Sequence, residues 1–148
     1  MKMGAIVANA SIEDQNKIYD FGKNLGIAFQ LQDDYLDAYG NPESFGKQVG
    51  GDIIENKKTY LFLKALELSD AKQKQKLVAL YNGNNLNNND KIISVKHIFD
   101  ESGASMTTKH IIEEYTENAF KLLDAISISS EKKDLLKQFG IALMNRKV

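Results

Sequence analysis

Residues 29–59 read FQLQDDYLDAYGNPESFGKQVGGDIIENKKT, centred on Gln30-Leu31-Gln32-Asp33-Asp34-Tyr35-Leu36-Asp37. Three carboxylates fall within five residues at the end of an apolar segment. On a helix, Asp33 and Asp37 lie one turn apart on a shared face, with Asp34 alongside and Gln30 one turn earlier. Leu25, Ala28, Leu31, Tyr35 and Leu36 fill the opposite side, so this helix is expected to pack into a core. Gly40-Asn41-Pro42 is a stop signal, which puts the acids in the last two turns. There the macrodipole is negative, and each anion costs about 0.3–1 kcal/mol. Mutual repulsion adds about 1 kcal/mol in water and several times more under partial burial.

Such a cluster calls for a compensating cation. Mg²⁺ takes a few carboxylate oxygens together with water and phosphate oxygens, which suits an open acidic helix end. A solvated acidic terminus is the ordinary alternative. The residues downstream favour the first reading: Gly46-Lys47, Gly50-Gly51-Asp52 and Asn56-Lys57-Lys58-Thr59 form a glycine-rich return bracketed by lysines. Acids that hold a metal, with ammonium groups nearby, make a diphosphate site. The spacing matches neither GxxxxGK[ST] nor GxGxxG. A calcium loop starting at Asp37 fails because Pro42 stands where the turn needs glycine.

The ordered set FQxQDDYLD, GK, GxD and NKxT resembles the second aspartate-rich region of the trans-isoprenyl diphosphate synthases, most closely the farnesyl and geranylgeranyl type. The upstream MGAIVANAS segment and the downstream helical pattern are also similar to that family, so the resemblance covers essentially the whole chain.

Length and composition agree with one all-α domain. The 148 residues are 43% hydrophobic, with one proline and no cysteine. Apolar content of this kind supports a core, and no disulfide framework exists. The net charge is −1, and Arg146 is the sole arginine, which argues against nucleic-acid binding. No apolar run reaches spanning length and no signal peptide is apparent, so no membrane span and a cytoplasmic location are expected.

The 3.6-residue periodicity sets out the helices. Met1–Ala10 reads as the tail of a helix whose Gly4, Ala5, Ala8 and Ala10 permit close packing. Ser11 caps a long helix running to about Tyr39, with Glu13 and Asp14 favourable in its first turn. The stretch from Gly40 to about Asn56 reads as a loop. Further helices are expected over Lys57–Leu68, from a Ser69 or Asp70 cap to Tyr81, and over Asp90–Ser102 with Gly103 following. The last two run over Ser105–Ile126 and from Ser129-Ser130 to Arg146-Lys147. Asn82–Asn89 reads as a solvated turn. His97 and His110 lack partners at metal spacing and read as packing or surface residues. Tyr35, Tyr39 and Tyr60 read as core. No repeat or internal boundary is evident.

The resemblance implies a helical bundle, the C-terminal portion of the isoprenoid synthase fold, and a reaction. Isopentenyl diphosphate is condensed with an allylic diphosphate such as dimethylallyl or geranyl diphosphate after Mg²⁺-dependent ionisation. On the matching positions, Asp33 would bind Mg²⁺ directly, and Asp34 and Asp37 would bind it through water or orient it. Lys47 and Lys57 would hold the allylic diphosphate, Gln30 would face the developing cation, and Phe29 would lie beside the isopentenyl diphosphate. The basic end at Arg146 would close over that substrate. The family's first aspartate-rich motif, its paired arginines and its Lys-Thr helix have no match: DDxxD occurs once. The chain is therefore read as the C-terminal part of such an enzyme, inactive by itself, with apolar surface exposed and a homodimer as the full-length state. The alternatives are a non-catalytic helical subunit that modulates a partner synthase, and a class I terpene cyclase fragment.

Overall fold

The computed structural model describes residues 1–41, 49–83 and 87–145. The described residues form α1 (Lys2–Val7), α2 (Ile12–Tyr39), α3 (Gly51–Ile54), α4 (Tyr60–Leu68), α5 (Ala71–Tyr81), α6 (Asn88–Glu101), α7 (Ala104–Asp124) and α8 (Ser130–Met144), with no strand among them. The architecture is all-α.

Local chemistry explains most of the boundaries. Ser11 Oγ accepts the Asp14 N–H at 3.1 Å, so α2 starts where the cap was expected. It ends at Tyr39, where the Gly40 N–H still donates to the Leu36 carbonyl at 2.7 Å. Asp70 and Gln73 make a reciprocal capping box on α5. Asn87 caps α6 through the Asp90 N–H at 3.0 Å, its side chain being the one that reaches the third amide of that helix. Gly103 adopts φ +79° between α6 and α7, as its place after a helix predicts. One element differs from expectation: the Gly40–Asn56 stretch contains the single-turn α3, entered through Gly50 at φ +85°.

The chain divides into two compact units, and the division falls inside α2 and α7 rather than in a loop. Of the described residues, the first comprises Met1–Gln30 with those from Ile111 to Asn145. Its core is Phe21, Leu25, Ala119, Leu123 and Ile126, with Phe120, Leu136 and Leu143 packed around them. Polar clasps hold the turn after α7: Asp14 Oδ1 accepts the Ser127 N–H at 3.0 Å, and Lys17 Nζ donates to the Ala125 carbonyl at 2.9 Å. In α1 no residue is buried, and Met3 and Val7 are more than four-fifths exposed.

The second unit is Leu31–His110. Its core gathers Ala38, Ile53, Leu61, Phe62, Ala65, Leu77, Leu80, Val95, Ile98 and Phe99, so α3, α4, α5 and α6 all contribute. Tyr35 and Tyr39 pack against this cluster, in line with the core reading. Tyr60 is half-buried at the start of α4, with Lys64 Nζ 5.6 Å from its ring centroid.

Candidate functional site

The C-terminal end of α2 carries Asp33, Asp34 and Asp37, all half-buried. Leu31 and Ala38 face the core and hold this end of the helix in place. Gln30 is exposed one turn earlier, and Phe29 is half-buried beside it.

Asp37 joins the helix to the glycine-rich return. Its carbonyl accepts the Gly50 N–H at 2.6 Å, and its Oδ2 accepts the Asp52 N–H at 2.9 Å. A Cβ on Gly51 would stand 3.2 Å from Asp37 Oδ1, so the backbone passes close to the carboxylate. Asp52 then turns its own carboxylate to Lys57, whose Nζ lies 2.7 Å from Asp52 Oδ1 and 2.9 Å from Glu55 Oε2. The Lys57 N–H also donates to the Asp52 carbonyl at 2.9 Å. The acidic helix end and the lysine are thus linked through Asp52, across a return in which α3 is the only turn of helix among the described residues.

The electrostatics are those of crowded anions. Burial pushes the Asp37 carboxyl above the usual carboxylate range, and the charges of Asp52 and Asp34 push the same way. The Asp52 N–H and Lys57 oppose this shift without cancelling it. Hydrogen bonds to Asp52 and Glu55 hold the Lys57 ammonium above its ordinary value, so it stays charged. Tyr81, buried against Phe62 at 4.2 Å between ring centroids, is raised by burial and by the charges of Asp52 and Asp37.

No three acidic or histidine side chains converge as a metal cage among the described residues. Mg²⁺ does not need one: it is ordinarily bound by one or two carboxylates, several waters and substrate phosphate oxygens. With Asp37 Oδ2 given to the Asp52 N–H, the acids fit such an open site and not a closed one.

Of the sequence-identified residues, Asp33, Asp34 and Asp37 share one helix end, and Lys57 is brought to it through Asp52. Gln30 and Phe29 lie on the same helix. Lys47 and Arg146 lie outside the described residues. His97 is exposed, 3.4 Å from Glu101, and His110 is exposed as well. Sequence reasoning named Asp52 as part of a motif and gave it no role; its partnership with Asp37 and Lys57 depends on the turn of α3.

The family model for polyprenyl synthetases matches residues 1–101, about two thirds of the chain. This chain belongs to the polyprenyl synthetase family. A geranylgeranyl diphosphate synthase from Sulfolobus acidocaldarius is 36% identical over 129 residues, covering 87% of this chain and 38% of the relative. A farnesyl pyrophosphate synthase from Saccharomyces cerevisiae is 35% identical over 125 residues, covering 82% and 33%. Among solved structures, a geranylgeranyl pyrophosphate synthase superposes with a TM-score of 0.85 at 45% identity, over 99% of this chain and 46% of that one. A geranylgeranyl pyrophosphate synthetase from Pyrococcus horikoshii gives a TM-score of 0.89 at 25% identity, over 98% and 43%. This polyprenyl synthetase chain therefore spans less than half the length of the relatives it matches. No helix among its described residues is long and apolar enough to cross a membrane.

Proposed function

We propose that this chain supplies one wall of a prenyltransferase site, in which isopentenyl diphosphate is condensed with an allylic diphosphate of the dimethylallyl or geranyl kind. The observation that carries this reading is the linkage Asp37–Asp52–Lys57, which sets an ammonium paired to Asp52 beside a crowded acidic helix end. Membership of the polyprenyl synthetase family and the resemblance to farnesyl and geranylgeranyl synthases support it.

Asp33 would contact Mg²⁺ directly, and Asp34 and Asp37 would orient it through water. The metal, when bound, supplies positive charge against the leaving diphosphate. Lys57 would neutralise outer diphosphate oxygens together with Lys47, and Asp52 would aim the Lys57 ammonium. Gln30 would stand where positive charge develops on the allylic carbon, and Phe29 beside the isopentenyl group. Preorganised charge at the departing diphosphate is the main source of rate in such a site. Arg146 would close over the second diphosphate, in a soluble cytoplasmic homodimer once the full length is present.

The test is direct binding. Titration of the chain with magnesium pyrophosphate in a calorimeter is expected to show saturable binding that weakens at least tenfold in Asp33→Ala and in Lys57→Ala, the loss expected of charge-assisted contacts. Binding that both substitutions leave unchanged would overturn the site. The chain alone is expected to form no prenyl product from isopentenyl and geranyl diphosphates, since it carries one aspartate-rich motif. Product formation would refute the single-wall reading, and cyclic hydrocarbon formed without isopentenyl diphosphate would favour a terpene cyclase.

A further inference from the structure

The return that carries Lys57 is bounded by two residues in the left-handed region, Gly50 at φ +85° and Asn56 at φ +58°, with α3 between them. Consecutive residues of α6 meet both. A Cβ on Gly50 would lie 2.7 Å from Ile92 Cδ1, so that side chain already fills the space beside the first left-handed residue. Lys91, buried at 9% exposure, reaches the second: its ammonium donates to Asn56 Oδ1 at 2.6 Å and to the Ile54 carbonyl at 3.3 Å. The Tyr81 ring lies beside it, with Nζ 5.6 Å from the centroid.

Lys91 is an expensive choice for this position. Burial pulls its ammonium below the ordinary lysine range, and both hydrogen-bond acceptors are neutral. An apolar side chain would fill the same volume without the desolvation cost. What the charge provides is geometry. Asn is tolerated at positive φ, but a non-glycine residue holds that conformation only where its surroundings enforce it. The next residue is Lys57, whose N–H and ammonium both return to Asp52.

We propose that Lys91 is a positioning residue: by gripping the Asn56 side chain and the Ile54 carbonyl, it fixes the left-handed turn from which Lys57 reaches Asp52, the residue that bonds Asp37 of α2. Its link to substrate rests on the diphosphate reading above; its hold on the turn does not.

The experiment is native-state amide hydrogen exchange on the full chain, paired with magnesium pyrophosphate titration. Lys91→Met removes both hydrogen bonds at similar volume. Asn56→Gly removes the acceptor and keeps the backbone conformation accessible. Each is expected to speed exchange at the Lys57 amide about tenfold relative to the Val95 and Ile98 amides of α6. The double variant should exchange no faster than the quicker single one, since the two side chains form one interaction. Pyrophosphate affinity should fall about tenfold in parallel. An unchanged Lys57 amide in Lys91→Met, or effects of the two substitutions that multiply, would overturn the proposal. If Lys91→Met fails to fold, Asn56→Gly decides: a Lys57 amide left as protected as before counts against it.

The two readings fail differently. Should the unsubstituted chain show no pyrophosphate binding, the diphosphate site falls, and amide exchange still decides the role of Lys91. Should binding depend on Lys57 while Lys91→Met alters neither readout, the site stands and the positioning role falls.

Discussion

Replacing Gly50 by alanine perturbs the joint between the acidic helix end and its return, and the structure sets the size of the effect. Gly50 sits at φ +85°, where a side chain costs about 1–2 kcal/mol. The new methyl would stand 2.7, 2.8 and 3.1 Å from three carbons of Ile92. Overpacking of that kind costs about 1–3 kcal/mol, less where the neighbour gives way. Gly50→Ala is therefore expected to destabilise the chain by about 2–5 kcal/mol, read as a lower urea midpoint at unchanged slope. Repeating the substitution in an Ile92→Ala background separates the two causes. There the steric part should vanish and about 1–2 kcal/mol remain, the cost of the backbone alone. A Gly50→Ala cost below about 1 kcal/mol, or one identical in both backgrounds, would refute the reasoning.

Two further expectations concern single carboxylates. The Ser127 N–H, aided by Ser11 and Lys17, holds Asp14 below its usual value of 3.8 against the opposing effect of burial. A lowered folded-state pKa means that ionised Asp14 stabilises the chain above pH 3.8 and that this contribution is lost as pH falls through the folded value. Asp14→Asn should therefore unfold more readily than the parent at neutral pH, the gap closing in acid; a gap independent of pH would contradict the clasp. Asp37→Asn keeps an acceptor for the Asp52 N–H while removing a charge crowded by Asp52 and Asp34. It should raise the thermal midpoint of the ligand-free chain and weaken magnesium pyrophosphate binding, a trade between stability and function. A lower midpoint would show that the charge itself holds the return in place.

The helices were legible wherever the signal is local. Ser11, Asp70 and Gly103 act through amides or torsions within a few residues of themselves, so their residue types announce the boundaries. In the Asn87–Asn89 run neighbouring asparagines are equally good caps by type, and only the backbone path selects Asn87. The single turn of α3 was hidden because four residues carry no periodicity.

By itself the sequence determined the all-α class, the long helix ending in Asp33, Asp34 and Asp37, and the membership of Lys57 in the same motif. These follow from hydrophobic spacing, from charge and from ordered residue types, which act along the chain. Tertiary structure alone decided that Asp52 bridges Asp37 and Lys57, that Ile92 fills the space beside Gly50, and that Lys91 grips Asn56 from 35 residues away. The first depends on the turn of α3, and the other two on how α6 packs against the return. A buried lysine bonded to a distant asparagine has no periodic or compositional signature, because its partner is set by the fold and not by its neighbours in sequence.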